Sequence, residues 1–90
     1  ILPDHFTLQQ NYPNPFNPRT SINFSVPYIS SISISVFDIQ GKFIEKLVDD
    51  LYEPGNYATY LDADDYSSGI YFYRLQTDHS FITRKFIIIK

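Results

Sequence analysis

Ninety residues with 43% apolar side chains, eight Phe, eight Tyr and no cysteine describe one small domain that must build its core without a disulfide or a cysteine-bound metal. The formal charge of −3 and a pI near 5.0 argue against nucleic acid as a partner. The longest apolar run, Phe86 to Ile89, falls far short of the ~20 residues that span a bilayer, so the expectation is a soluble chain without a transmembrane segment.

The start, Ile1-Leu2-Pro3, lacks Met and any charged-then-apolar leader. Residues 1–10 therefore read as the linker end of a longer precursor, with room for a short first strand near Phe6 to Gln9. Residues 11–90 read as the domain itself. Its first stretch, Asn11-Tyr12-Pro13-Asn14-Pro15-Phe16-Asn17-Pro18-Arg19-Thr20, places three prolines within six residues. Each fixes φ near −65°, removes a backbone donor and pushes the residue before it out of the helical region. An extended entry loop follows, ordered by packing on something else, and both Tyr12 and Phe16 are expected to be buried in that contact.

Beyond the loop the pattern has period two and no helical period. Ile22, Phe24 and Val26 alternate with Ser21, Asn23 and Ser25 until Pro27 ends the strand. Ile32, Ile34 and Val36 alternate with serines in the same way. Asp38-Ile39-Gln40-Gly41 supplies a side-chain acceptor first and a residue tolerant of positive φ last, as a short hairpin loop requires. A third strand is expected from Lys42 to Val48, with Phe43, Ile44, Leu47 and Val48 out of simple alternation, which implies a bulge or burial on both faces.

Asp49 to Gly55 reads as a polar connection closed by Pro54-Gly55. Strands then follow from Asn56 to Leu61, Ile70 to Thr77 and Phe81 to Lys90, separated by Asp62 to Gly69 and by Asp78-His79-Ser80. Gly41, Gly55 and Gly69 all fall at turns. Six strands and a short seventh at intervals of about ten residues predict an all-β, Ig-like antiparallel sandwich, with a small barrel as the alternative because alternation fixes faces and not pairing.

Little here suggests catalysis. A Ser or Thr nucleophile would need His5 or His79, and neither sits in a motif, so no enzyme, no catalytic residue and no cofactor is expected. Asp62, Asp64 and Asp65, or Asp49, Asp50 and Glu53, could offer oxygen to calcium, yet acidic turns are common simply because they stay hydrated. Tyr57, Tyr60, Tyr66, Tyr71, Phe72 and Tyr73 could form a sugar-stacking platform, against the plainer reading that they serve as core and rim. Charge is uneven: eight acids face two lysines between Asp38 and Asp65, whereas Arg74, Arg84, Lys85 and Lys90 face Asp78 alone after Tyr66. The basic residues around the last strand either guard it against edge-to-edge aggregation or present it to a partner.

Five segments, in order, resemble the C-terminal sorting domains of type IX secretion cargo proteins from Bacteroidetes and related bacteria. They are Asn11 to Pro18 with Thr20, Asp38 to Gly41, Pro54 to Tyr57, Ser68 to Leu75 and the basic-apolar-basic ending Arg84 to Lys90. Leu61 departs from the family, in which Trp is common in that strand. The Ig-like domain of flagellar hook-capping proteins is similar in several of the same patterns.

The resemblance implies a sorting signal attached to an N-terminal cargo domain, which passes through the periplasm and is recognised by an outer-membrane translocon. A sortase-like peptidase would then remove the domain as the cargo reaches the cell surface or the medium. It places translocon recognition at Ser68, Gly69, Tyr71, Tyr73, Arg74, Arg84, Lys85 and Lys90, with Asn11 to Pro18 as the structural latch. The competing reading is an accessory Ig-like module that binds glycan or packs on an attached enzyme.

Overall fold

The computed structural model describes residues 2–16 and 18–90, so Asn17 of the entry loop lies outside the described residues. Within them the chain forms β1 (Thr7–Leu8), β2 (Arg19–Val26), β3 (Ser30–Asp38), β4 (Phe43–Tyr52), β5 (Gly55–Asp62), β6 (Gly69–Gln76) and β7 (Phe81–Ile88). Every strand pairing is antiparallel. One sheet has the order β1-β2-β5 and the other β4-β3-β6-β7, which is an Ig-like sandwich with β4 placed beside β3 in the larger sheet.

Alternation converts directly into this packing. Ile22, Phe24 and Val26 on β2 and Ile32, Ile34 and Val36 on β3 are at most 2% exposed and face each other across the sandwich. Leu61, Tyr73, Leu75, Phe86 and Ile88 belong to the same core, as do Phe16, Tyr66 and Tyr71. Leu61, the departure from the family pattern, is itself a core residue, only 1% exposed. Phe24 stacks on Tyr57 at 5.6 Å and meets Tyr52 edge-on at 5.4 Å, closing the end of the sandwich beneath the β4–β5 turn.

The hairpin between β3 and β4 forms as its residues require. Asp38 Oδ1 accepts from the amides of Gln40 and Lys42, both at 2.9 Å, and Gly41 adopts φ 85°. The irregular apolar spacing of the next strand is resolved by bulges, since the register shifts at Ile34/Ser35 and Val36/Phe37.

Two boundaries differ from expectation by more than one residue. Asp49 to Tyr52 belong to β4 and not to a polar connection, because Ser33 pairs with Asp49, Ser31 with Leu51 and Ser30 with Tyr52. The acids tolerate this because β4 is an edge strand whose outer face is solvated. The turn therefore shortens to Glu53-Pro54, and Gly55 already opens β5. At the other end β7 stops at Ile88, two residues before Lys90.

Candidate recognition surface

The entry loop is held at both of its ends. Asn11, only 2% exposed, donates from Nδ2 to the Pro13 carbonyl at 3.1 Å and to Thr20 Oγ1 at 3.0 Å, and Thr20 Oγ1 donates to the same carbonyl at 2.8 Å. The Tyr12-Pro13 and Asn14-Pro15 peptides are cis. Phe16 is 3% exposed, its ring 5.7 Å from that of Phe86.

Tyr12 corrects the expectation of burial, since it is 82% exposed. Its backbone exchanges hydrogen bonds with Ser21 at 2.9 and 3.0 Å, which makes this stretch extended. Side chains alternate along extended backbone, so a buried Asn11 sends Tyr12 outward.

What the loop packs on is the free edge of β7. The amide of Phe16 donates to the Ile87 carbonyl at 3.3 Å and its carbonyl accepts from Ile89 at 3.4 Å. Asn14 Oδ1 accepts from the Ile87 amide at 3.0 Å, and Gln10 Nε2 donates to the Lys85 carbonyl at 2.7 Å. These contacts cap the outward backbone groups of Lys85, Ile87 and Ile89 with partners from the start of the domain. An apolar edge strand is thereby covered, and no proline is asked to donate.

The residues of β6 and β7 divide by strand phase. Tyr71 and Tyr73 point inward, at 9% and 0% exposure. The Tyr71 hydroxyl donates to the Ser67 carbonyl at 2.8 Å and the Tyr73 hydroxyl to the Gln9 carbonyl at 2.6 Å. Burial pushes the Tyr73 hydroxyl up to about 12, and raises that of Tyr66, which also donates to Glu45 at 2.5 Å. Both Tyr71 and Tyr73 are core residues of the folded domain, so neither ring is presented to a partner.

Arg84 also lies on the inward side, at the open edge, where Nε donates to the Leu8 carbonyl at 2.8 Å and ties β7 to β1 across the two sheets. Ser68 and Lys90 close on each other: the Lys90 amide donates to Ser68 Oγ at 2.9 Å while its Nζ donates to the Asp64 carbonyl at 2.9 Å. Gly69 opens β6 opposite Ile88. Arg74 and Lys85 alone among these eight project from the outer face of the larger sheet.

That outer face sets Arg74 among aromatic residues the motifs did not single out. Phe43 on β4, Phe37 on β3, Arg74 on β6 and Phe81 on β7 touch in a diagonal line across the sheet, since Phe37 pairs directly with Phe43 and Phe72 while Arg74 is opposite Ser35 and Thr83. The Phe37 and Phe43 rings are 6.1 Å apart, and the Arg74 guanidinium lies 5.1 Å from the centre of the Phe37 ring and 4.7 Å from that of Phe81. Phase was the available signal: Phe37 follows inward Val36, and Arg74 follows inward Tyr73.

The remaining candidates do not come together. Tyr66, Tyr71 and Tyr73 are buried, Tyr57 is packed against Phe24 and Tyr52, and exposed Tyr60 lies on the other sheet from Phe72, so no sugar-stacking platform forms. Asp62 accepts from Arg19 at 2.8 Å, which holds its carboxyl below the usual range, and Asp49 pairs with Lys46 at 3.3 Å. Asp50 accepts from the next amide in the chain at 2.8 Å. Among the described residues no group of three or more His, Asp or Glu converges as a metal site. His5 is engaged by Asp4 at 2.6 Å, and His79 is exposed in the β6–β7 turn.

The fold defines a small β-sandwich whose own start clasps its last strand. Residues 10–90 match the family model of the secretion system C-terminal sorting domain, and the chain belongs to that family. No curated protein and no solved structure matches it significantly. The domain is thus a sorting signal for type IX secretion, which sends an attached cargo to the cell surface or the extracellular space. Membership in a family of sorting signals points to a role without catalysis of its own. Among the described residues no helix is long and apolar enough to cross a membrane.

Proposed function

We propose that the outer-membrane translocon reads this domain in its folded state, after periplasmic transit of the precursor, through outward residues of β6, β7 and the basic ending. A sortase-like peptidase then removes the domain from its cargo. One observation carries the reading: the family match at residues 10–90 coincides with a single packed unit, whose first loop and last strand hydrogen-bond to each other. A signal read as a loose tail would have no need of that clasp.

The test is a fluorescent reporter carrying an export signal and fused to residues 1–90, expressed in a type IX competent host. Deleting Arg84 to Lys90 is a poor probe, because it removes Phe86 and Ile88, which are 0% and 1% exposed core residues. The exposed pair Lys85→Glu with Lys90→Glu leaves the core intact. Secretion of the parent fusion and periplasmic retention of the charge-reversed one is the expected result. A parent fusion that stays in the periplasm would refute the sorting reading, and equal secretion of both would remove the basic ending from it.

A further inference from the structure

We infer that the outer face of the four-stranded sheet is the docking surface, and that its partner is a protein surface presenting carboxylates among apolar side chains. This deepens the sorting reading and rests on it. The solvated face of an antiparallel sheet is ordinarily polar, and one part of this face is so, with Ser31, Ser33 and Ser35 in a line along β3. Across it runs the row Phe43, Phe37, Arg74 and Phe81, which occupies all four strands. Phe43 and Phe81 are 53% and 61% exposed. Two exposed rings on the edge strands, joined through half-buried Phe37 and Arg74 into one continuous strip, mark an interaction site on a small domain.

Charge selects the partner. Lys46 on this face is already paired with Asp49, whereas among the described residues no carboxylate lies within ion-pair distance of Arg74 or Lys85. The face is therefore positive on a chain whose formal charge is −3. Arg74 is also held in place: the two flanking rings and a 3.3 Å hydrogen bond from Nε to Thr83 Oγ1 fix the plane of its guanidinium. An ordered Arg between aromatic rings can take a carboxylate at little further entropic cost, and such residues dominate interface energetics.

Other occupants fit less well. Two copies of the domain would set Arg74 and Lys85 against like charges. An anionic bilayer would repel the chain as a whole, and the rings lie on rigid strands and not on protruding loops. A carboxylate-bearing protein surface satisfies both the cations and the rings.

The experiment measures binding of the reporter fusion to detergent-solubilised outer-membrane translocon purified from a type IX competent host, with secretion in the same host as the second readout. Arg74→Glu and Phe81→Ser are each expected to weaken binding at least ten-fold and to reduce secretion in parallel, without a change in melting temperature. Arg74→Lys keeps the charge and loses the planar fork, so its loss is intermediate. Tyr60→Ser, on the outer face of the other sheet, binds as the parent does. If Arg74→Glu lowers the melting temperature, Phe81→Ser and Phe43→Ser carry the test.

A parent that binds and is secreted, with face variants indistinguishable from it, overturns the docking surface and leaves the sorting function standing. A parent that is neither bound nor secreted removes both. Binding to phosphatidylglycerol vesicles that Arg74→Glu abolishes assigns the face to a membrane, and a concentration-dependent dimer that Arg74→Glu dissolves assigns it to a second copy. Either result overturns the proposal.

Discussion

Replacing Phe16 by Ala tests whether the entry loop is part of the folded core. The ring is 3% exposed and packs on Phe86, while the backbone of the same residue exchanges hydrogen bonds with Ile87 and Ile89. Truncating a buried Phe costs about 3 to 5 kcal/mol, transfer and cavity together. A domain of this size holds roughly 5 to 13 kcal/mol in all, so a large fraction is at stake. With an unfolding entropy of about 2.1 cal/mol/K per residue, a loss of about 3 kcal/mol lowers the melting temperature by roughly 15 °C. Circular dichroism melts of the parent and of F16A measure this directly. Tyr12→Ala is the internal control, because at 82% exposure it should move the melt by no more than a few degrees. Amide exchange adds a local readout, with Ile87 and Ile89 losing protection in F16A before the amides of β7 that bond to β6. A fall of less than about 5 °C for F16A, or an equal fall for both variants, would refute the packing described for the loop.

Asn11→Ala removes one of the two donors to the Pro13 carbonyl and the donor to Thr20 Oγ1, for an expected loss of about 2 kcal/mol in urea unfolding; a change within 0.5 kcal/mol would contradict the buried network. Alkaline stability follows from Tyr73, whose hydroxyl ordinarily titrates near 10.0 and is pushed up to about 12 in the fold. Between these values the unfolded chain has lost a proton that the folded one keeps, so stability is intact below pH 10 and declines by about 2 kcal/mol as pH rises to 12. Tyr73→Phe removes its share of that slope while Tyr66, raised in the same direction, keeps its own, and an unchanged slope in the variant would assign the whole of it elsewhere. Gly41→Ala forces a side chain into φ 85° at an otherwise open position, for an expected cost of about 1 kcal/mol, read as a shift in the urea midpoint with no change in its slope.

Legibility followed locality. The inward triplets on β2 and β3 were readable because a single alternating string decides them. The extent of β4 was not, because Asp49 and Asp50 look like a loop until Ser31 to Ser33 supply a partner strand. Tyr12 illustrates the same limit: its side depends on a bridge to Ser21, a contact that no local pattern encodes. Tyr71 and Tyr73 are different. Their phase with Leu75 already marked them as inward, and motif matching, which ignores phase, placed them at the surface. The aromatic row needed the pairing register, since Phe37, Phe43 and Phe81 are brought to Arg74 from three other strands. Gln10 escaped notice because its partner is a backbone carbonyl 75 positions away.

The clasp between Phe16 and Ile88 joins residues 88 − 16 = 72 positions apart. A ribosome adding about 5 to 20 residues per second therefore produces the loop several seconds before the edge that receives it. Until β7 exists, Phe16 has no Phe86 to lie on, and its amide and carbonyl have only water. Closing so long a span is also slow, since the entropy of loop closure is spent before any contact compensates it. A nascent or truncated polypeptide thus carries the proline-rich motif without its folded form. Formation of β7 is registered at the opposite end of the domain, in whether Gln10 to Phe16 have found their seat.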